Sequence, residues 1–168
     1  RGLGDVYKRQ GTDSASERAL LSANVGGATF AEILPRSITI SVVAMLGEDG
    51  QHLPRTHSWP ESLWDWHTHL PYQHGVNCAG MIFLGGQVSL NKQGRATYPD
   101  DLSAQTHQAM THIGTILNDL GADYSDVCKI LAVYCARDDA QRLHENLSIR
   151  SSYFAEPGPA STVVPLPA

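Results

Sequence analysis

Between Asp101 and Gly121 the chain carries a pattern that only an amphipathic helix satisfies, and this helix limits what the remainder can build. Leu102, Ala109, Ile113, Ile116, Leu117 and Leu120 recur at helical spacing and form one apolar stripe. Pro99-Asp100 supplies a start, with Asp100 the expected N-cap and Asp101 suited to the positive end of the helix dipole. Gly121 is a good left-handed C-cap. A helix with an apolar stripe must bury it against a second layer, and the flanking segments read as strands.

Upstream of the helix, Met81 to Leu84 is an apolar run, broken at Gly85-Gly86 and resumed over Gln87 to Leu90. Paired glycines inside a strand pattern predict a bulge or a close approach of the backbone to something else. Asn91 to Gly94 reads as a hairpin-type turn. Downstream, Val127 to Cys135 reads as a strand and Asp139 to Phe154 as a second helix. Leu143, Leu147, Arg150 and Phe154 share one face of it, and Pro157-Gly158-Pro159 stops it. Ser161 to Leu166 is a further strand. Near the start, Arg36 to Leu46 alternates β-branched and small residues, predicting a strand that ends in the turn Gly47-Glu48-Asp49-Gly50. The order strand, strand, helix, strand, helix, strand predicts an α+β sandwich, with both helices on one sheet face.

Two segments lack such a period. Arg1 to Gln10 is unlike the rest of the chain and is expected to be a non-native leader; Ser14 to Phe30 reads as a short helix and a loop. Gln51 to His69 holds all three tryptophans and four of the eight histidines, with Pro54 and Pro60, and is expected to be a loop over the body. Trp59, Trp64 and Trp66 are too apolar to leave in water and must dock, in this chain or in a neighbouring one.

The 168 residues, 42% hydrophobic, are enough for one ordinary core. With a net charge of −5 and its 12 Lys and Arg scattered, the chain lacks the basic patch of a phosphate-backbone binder, so nucleic acid is a poor partner. Cys78, Cys128 and Cys135 match neither a zinc ribbon nor a CxxC pair and are expected to be reduced thiols, with Cys128 and Cys135 behaving as small hydrophobes in or at the end of a strand. No stretch approaches the roughly 18 apolar residues of a membrane span. A cytoplasmic protein with no membrane partner is the expectation.

Pro71-Tyr72-Gln73-His74-Gly75-Val76, then MIFLGGQ at Met81 to Gln87, resembles the RidA/YjgF family, also called endoribonuclease L-PSP. The resemblance continues through Asp101 to Asp119, Gly121-Ala122, Asp126 to Lys129, Tyr153-Phe154 and Pro159-Ala160, in the family's order over about residues 70–168. It implies a chorismate-mutase-like fold, a mixed sheet carrying two helices, assembled as a homotrimer with a small-metabolite pocket at each subunit interface. It further implies hydrolysis of reactive enamines and imines to ketoacid and ammonia, without metal or organic cofactor; a metabolite-binding trimer without catalysis and an endoribonuclease are the alternatives.

Two departures from the family pattern stand out. One more strand is implied after Pro159-Ala160, so residues 70–168 are expected to be the domain lacking its last strand. Ser37 to Leu46 resembles that strand, so residues 11–50 are expected to be either the tail of a preceding repeat or a permuted strand that fills the vacant place. Secondly, the arginine that clamps the substrate carboxylate is implied where Ser161 stands, and the water-handling glutamate falls on the absent strand or at Thr39.

The resemblance implies ligand contacts from Tyr72, Gly85 (where the family has a serine), Gly86, Gln87, Asn146, Ser161 and Thr162, and for most of them a plainer reading stands beside it. Tyr72 contacts a ligand or a neighbouring subunit. Gly86-Gln87 lines a pocket with backbone amides or forms a structural bulge. Ser161 and Thr162 hold a ligand or merely begin a strand. His67 and His69, with His57 and His74, lack acidic or cysteine partners at ligand spacing, and no metal is expected. His107 and His112 diverge on the helix and are expected at the surface.

Overall fold

The computed structural model describes residues 42–66, 68–135 and 140–166. Residues 1–44 form a unit of their own, of which 42–44 are described and carry no regular structure. The expected strand Arg36–Leu46 thus falls largely outside the described residues. Where it can be followed, Val42 to Met45 are unpaired and only Leu46 makes a bridge, to His52, around the expected turn. There Gly50 N donates to Gly47 O at 2.9 Å, and Gly47 N to Gln51 O at 2.8 Å. The expected helix at 14–30 and His67 also lie outside the described residues.

In the second unit, β1 (Arg55–Ser58), β2 (Gly75–Cys78) and β3 (Met81–Leu84) form an antiparallel sheet in that order. Here the expectation of a plain loop over Gln51–His69 is corrected, because β1 lies within it. Its first three residues are exposed and only Ser58 is buried, so the strand has no apolar alternation to betray it. β2 is likewise a strand that the sequence pattern does not predict. It is joined to β3 by Ala79-Gly80, with φ of +51° and +79°, the backbone of a two-residue hairpin turn. Alanine in a left-handed position gives no turn signal, although Asn77 Oδ1 supports the bend by accepting from Gly80 N at 3.2 Å.

Beyond Leu84 the expected continuation of the strand over Gln87–Leu90 does not form. Gly85 N donates to His74 O at 2.9 Å, and regular pairing then stops until a single bridge, Leu90 to Ala96, closes the turn at Asn91–Gly94. Asn91 Oδ1 accepts from Gln93 N and Arg95 N in that turn, the usual work of asparagine in a tight bend.

The helix α1 spans Leu102–Asp119. Its N-cap is Asp101, whose carboxylate accepts from Ala104 N at 2.9 Å; Asp100, the residue expected to cap it, instead turns the chain with φ +65°. At the far end Gly121 has φ +78°, and Gly121 N and Ala122 N donate to Asn118 O and Leu117 O, a Schellman motif. Ile116 and Leu117 of the expected stripe are buried, joined by Met110. α1 lies close over β2: a Cβ on Gly75 would meet Ile116 Cγ2 at 2.6 Å, so only glycine allows this approach.

After a short 3-10 turn, Tyr124–Asp126, come β4 (Lys129–Cys135), α2 (Ala140–Ser151) and β5 (Ala160–Leu166). β4 and β5 pair in parallel, Ile130 opposite Ser161 and Leu131 opposite Thr162. α2 ends at Ser151, before Phe154, which packs edge-on against Tyr124 at 5.3 Å between ring centres. The architecture is the expected α+β arrangement of two helices with mixed antiparallel and parallel sheet. No helix among the described residues is long and apolar enough to cross a membrane. Cys128 and Cys135, expected to behave as small hydrophobes in a strand, are exposed, and Cys78 is buried.

Candidate functional site

The two sheets leave a cleft of about 400 Å³ between the chain just past β3 and strand β4, with α1 and α2 along it. Ala109, Met110 and Ile113 of α1 give it an apolar lining. Two of the expected ligand residues, Gln87 and Asn146, line it, and Arg150 joins them.

Asn146 and Arg150 sit one turn apart on α2, so their side chains meet on its inner face. Asn146 is 4% exposed and Arg150 is 6% exposed. Arg150 Nε donates to Asn146 Oδ1 at 2.8 Å, and Asn146 Nδ2 donates to Thr106 Oγ1 at 2.6 Å. Thr106 in turn donates to Leu102 O at 2.6 Å, within α1. The chain of bonds ties the helices together and fixes the guanidinium plane. Arg150 Nη2 is buried without an acceptor among the described residues. Burial pushes the guanidinium below its ordinary value, while the Tyr134 phenol favours the charge.

Gln87 is occupied elsewhere. Its Oε1 accepts from Trp64 Nε1 at 3.3 Å, and its amide nitrogen reaches Gly85 O at 3.1 Å and His74 Nδ1 at 3.4 Å. A carbonyl can only accept, so His74 Nε2 donates to Trp64 O, at 2.9 Å. Trp59 stacks on the His74 ring at 4.3 Å and Trp64 meets it edge-on at 4.7 Å. The tryptophans therefore dock within this chain, around a histidine that is 2% exposed, while Trp66 rests on Trp64 and stays 43% exposed. Both ring nitrogens of His74 are engaged, which removes it from any ligand set.

The other expected ligand residues are not in this cleft. Tyr72 is 63% exposed, and Gly85, Gly86, Ser161 and Thr162 are all at the surface. The Gly85 amide is engaged by His74, whereas Gly86 has open space where a Cβ would stand. His112 corrects the expectation of a surface residue, being 8% exposed, because α1 is covered on more than its apolar stripe. Burial lowers its pKa below the ordinary imidazole value, opposed by a bond to the Val88 backbone and assisted by His74. His107 is exposed as expected, bonded through Nδ1 to Tyr153 Oη at 3.0 Å.

Arg150 is the site residue that the sequence pattern leaves unassigned. A signal for it exists: a guanidinium on the same helix face as Leu143 and Leu147 is out of place unless something buried needs it.

A fold of two helices on mixed sheet, with these landmarks, defines a recognisable class. The sequence pattern of the family described as Endoribonuclease L-PSP matches residues 66–168. The chloroplastic Reactive Intermediate Deaminase A of Arabidopsis thaliana is 28% identical over 149 residues, 84% of this chain and 74% of that protein. The 2-iminobutanoate/2-iminopropanoate deaminase of Mus musculus is 28% identical over 90 residues, 54% of this chain and 64% of that one. Among solved structures, YyfA of the conserved Rid family from Yersinia pestis superposes with a TM-score of 0.58 at 19% identity, covering 68% of this chain and 88% of its own. The chain belongs to the endoribonuclease L-PSP family, known equally as RidA/YjgF.

Proposed function

We propose that this protein is a small-metabolite-binding member of the family, cytoplasmic, holding its ligand at a pocket between the subunits of a homotrimer. The ligand lies against Tyr72, Gly85, the backbone amides of Gly86 and Gln87, and the hydroxyls of Ser161 and Thr162. The observation that carries the reading is the exposure of Tyr72, Ser161 and Thr162 on a single chain, together with Leu131 and Val133, which are 55% and 51% exposed on one face of β4. Aliphatic side chains on a sheet face favour a covering subunit, and a trimer supplies one.

Hydrolysis of 2-imino or enamino acids is the second reading, favoured by the deaminase names of the relatives. Ser161 weighs against it. A hydroxyl offers a substrate carboxylate one hydrogen bond and no charge, where an arginine would offer a charged, two-pronged grip. The test is ammonia release from freshly generated 2-aminoacrylate. The parent is expected to match the buffer blank, and Ser161→Arg to exceed it by about tenfold or more, the factor that roughly 1.5 kcal/mol from a charged hydrogen bond brings. Rapid hydrolysis by the parent would reject the binding-only account in favour of the deaminase.

A further inference from the structure

A second cleft, of about 620 Å³, runs along a face of α1 that carries His107, Thr111, His112 and Thr115. These residues recur at helical spacing and so share one side of the helix. Tyr98 and Ser62 add to the walls. The cleft shares no lining residue with the one between the sheets, nor with the proposed intersubunit pocket. No Asp, Glu, Lys or Arg lines it, although such residues make up 17% of the chain. An ion entering there would lose water without gaining a counter-charge.

What the cleft offers instead is neutral acceptors. Thr111 Oγ1 donates to His107 O at 2.9 Å, and Thr115 Oγ1 to Thr111 O at 3.0 Å. Each hydroxyl thus directs its proton back into the helix and keeps only lone pairs for a neighbour. His112 adds a third acceptor. It is 8% exposed, and its Nδ1 is buried without a partner among the described residues. The bond to the Val88 backbone favours the protonated ring, so it is an N–H donating to that carbonyl, and Nε2 is the nitrogen left to make it. Nδ1 of the neutral ring then holds a lone pair that no donor meets, a costly arrangement. Tyr98 supplies apolar surface. It is 51% exposed, with φ at +54°, where a side chain is rarely found. Gln105 Nε2 and Asp101 N donate to its carbonyl at 2.8 and 3.1 Å and pin it there.

A wholly apolar ligand would cover these acceptors without giving them donors. A neutral ring bearing several hydroxyls meets every limit, with donors for Thr111, Thr115 and His112 and a flat C–H face for Tyr98. We propose that this cleft on α1 is a binding site for a neutral sugar ring. The site is independent of the intersubunit ligand pocket, which uses other residues.

The test titrates D-glucose into the full chain and follows amide and imidazole resonances by NMR. Shifts at Thr111, His112 and Thr115 should saturate with a dissociation constant of about 1–10 mM, the range for a ligand of this size. Sorbitol, which has the hydroxyls but no ring face, should bind about fivefold or more weakly. Inorganic phosphate should leave these signals unmoved. Tyr98→Gly suits the left-handed backbone, so its melting temperature should hold while glucose binding weakens about tenfold or more. Should that variant fail to fold, Thr111→Val, which removes one acceptor, should weaken binding about threefold or more. No saturable shift with about 0.1 M glucose would overturn the proposal. So would sorbitol binding as tightly as glucose, the same signals answering to phosphate, or a folded Tyr98→Gly that binds glucose as the parent does.

Discussion

Ile116→Ala is expected to lower the stability of the fold by about 2–5 kcal/mol, the range for removing a fully buried aliphatic side chain. Ile116 is 0% exposed and sits where α1 closes over β2. Its neighbour there is the bare backbone of Gly75, whose missing Cβ would fall 2.6 Å from Ile116 Cγ2 and 2.9 Å from Leu120 Cδ1. The same contact makes Gly75→Ala costly in the parent, by about 1–3 kcal/mol of overpacking. In the double variant the new methyl enters space that Ile116 has vacated. The two losses should then sum to more than the measured loss, with a favourable coupling of about 0.5 kcal/mol or more. Urea unfolding of the four proteins measures this. Strict additivity would mean that α1 does not lie on β2 as described.

Asn146→Ala is expected to cost about 3–5 kcal/mol, far more than its few lost contacts suggest, because it leaves a buried charged group short of a partner. Asn146 Oδ1 is the acceptor for Arg150 Nε, and its amide is the donor to Thr106. Thr106→Val removes a neutral hydroxyl from the same chain of bonds and should cost only about 1 kcal/mol. In Asn146→Ala, a second change, Arg150→Met, should recover part of the loss, since the uncompensated charge goes with it. Thermal unfolding of the single and double variants reads this out. A double variant no more stable than Asn146→Ala would show that the guanidinium was not the source of the cost.

The parts of the fold legible in the sequence are those where burial and backbone geometry agree. α1 is readable because its apolar stripe lies between a carboxylate cap and Gly121, and only the choice between Asp100 and Asp101 goes astray. That choice depends on which aspartate takes the left-handed turn, which composition does not encode. β4 and β5 are readable from their β-branched and apolar runs. β1 and β2 are not, since four-residue strands such as Arg55–Ser58 and Gly75–Cys78 carry charged, small and polar residues, and owe their pairing to tertiary context.

The candidate site shows the same division. Gln87 and Asn146 can be singled out, but their bonding partners come from residues distant in sequence, Trp64 and Thr106, and no local pattern joins them. His112 is misplaced because helical spacing gives one stripe, whereas α1 is covered over a wider arc. Arg150 stands in plain view on an apolar face, yet a lone basic residue there reads as a solvated stem until the helix partner is known.

An intersubunit pocket requires subunits, so the mass in solution is decisive. Light scattering on the eluting chromatographic peak should give a particle three times the 18.2 kDa chain, unchanged on modest dilution. A single 18.2 kDa species at every concentration would leave Tyr72, Ser161 and Thr162 facing water, with no pocket for a metabolite between copies.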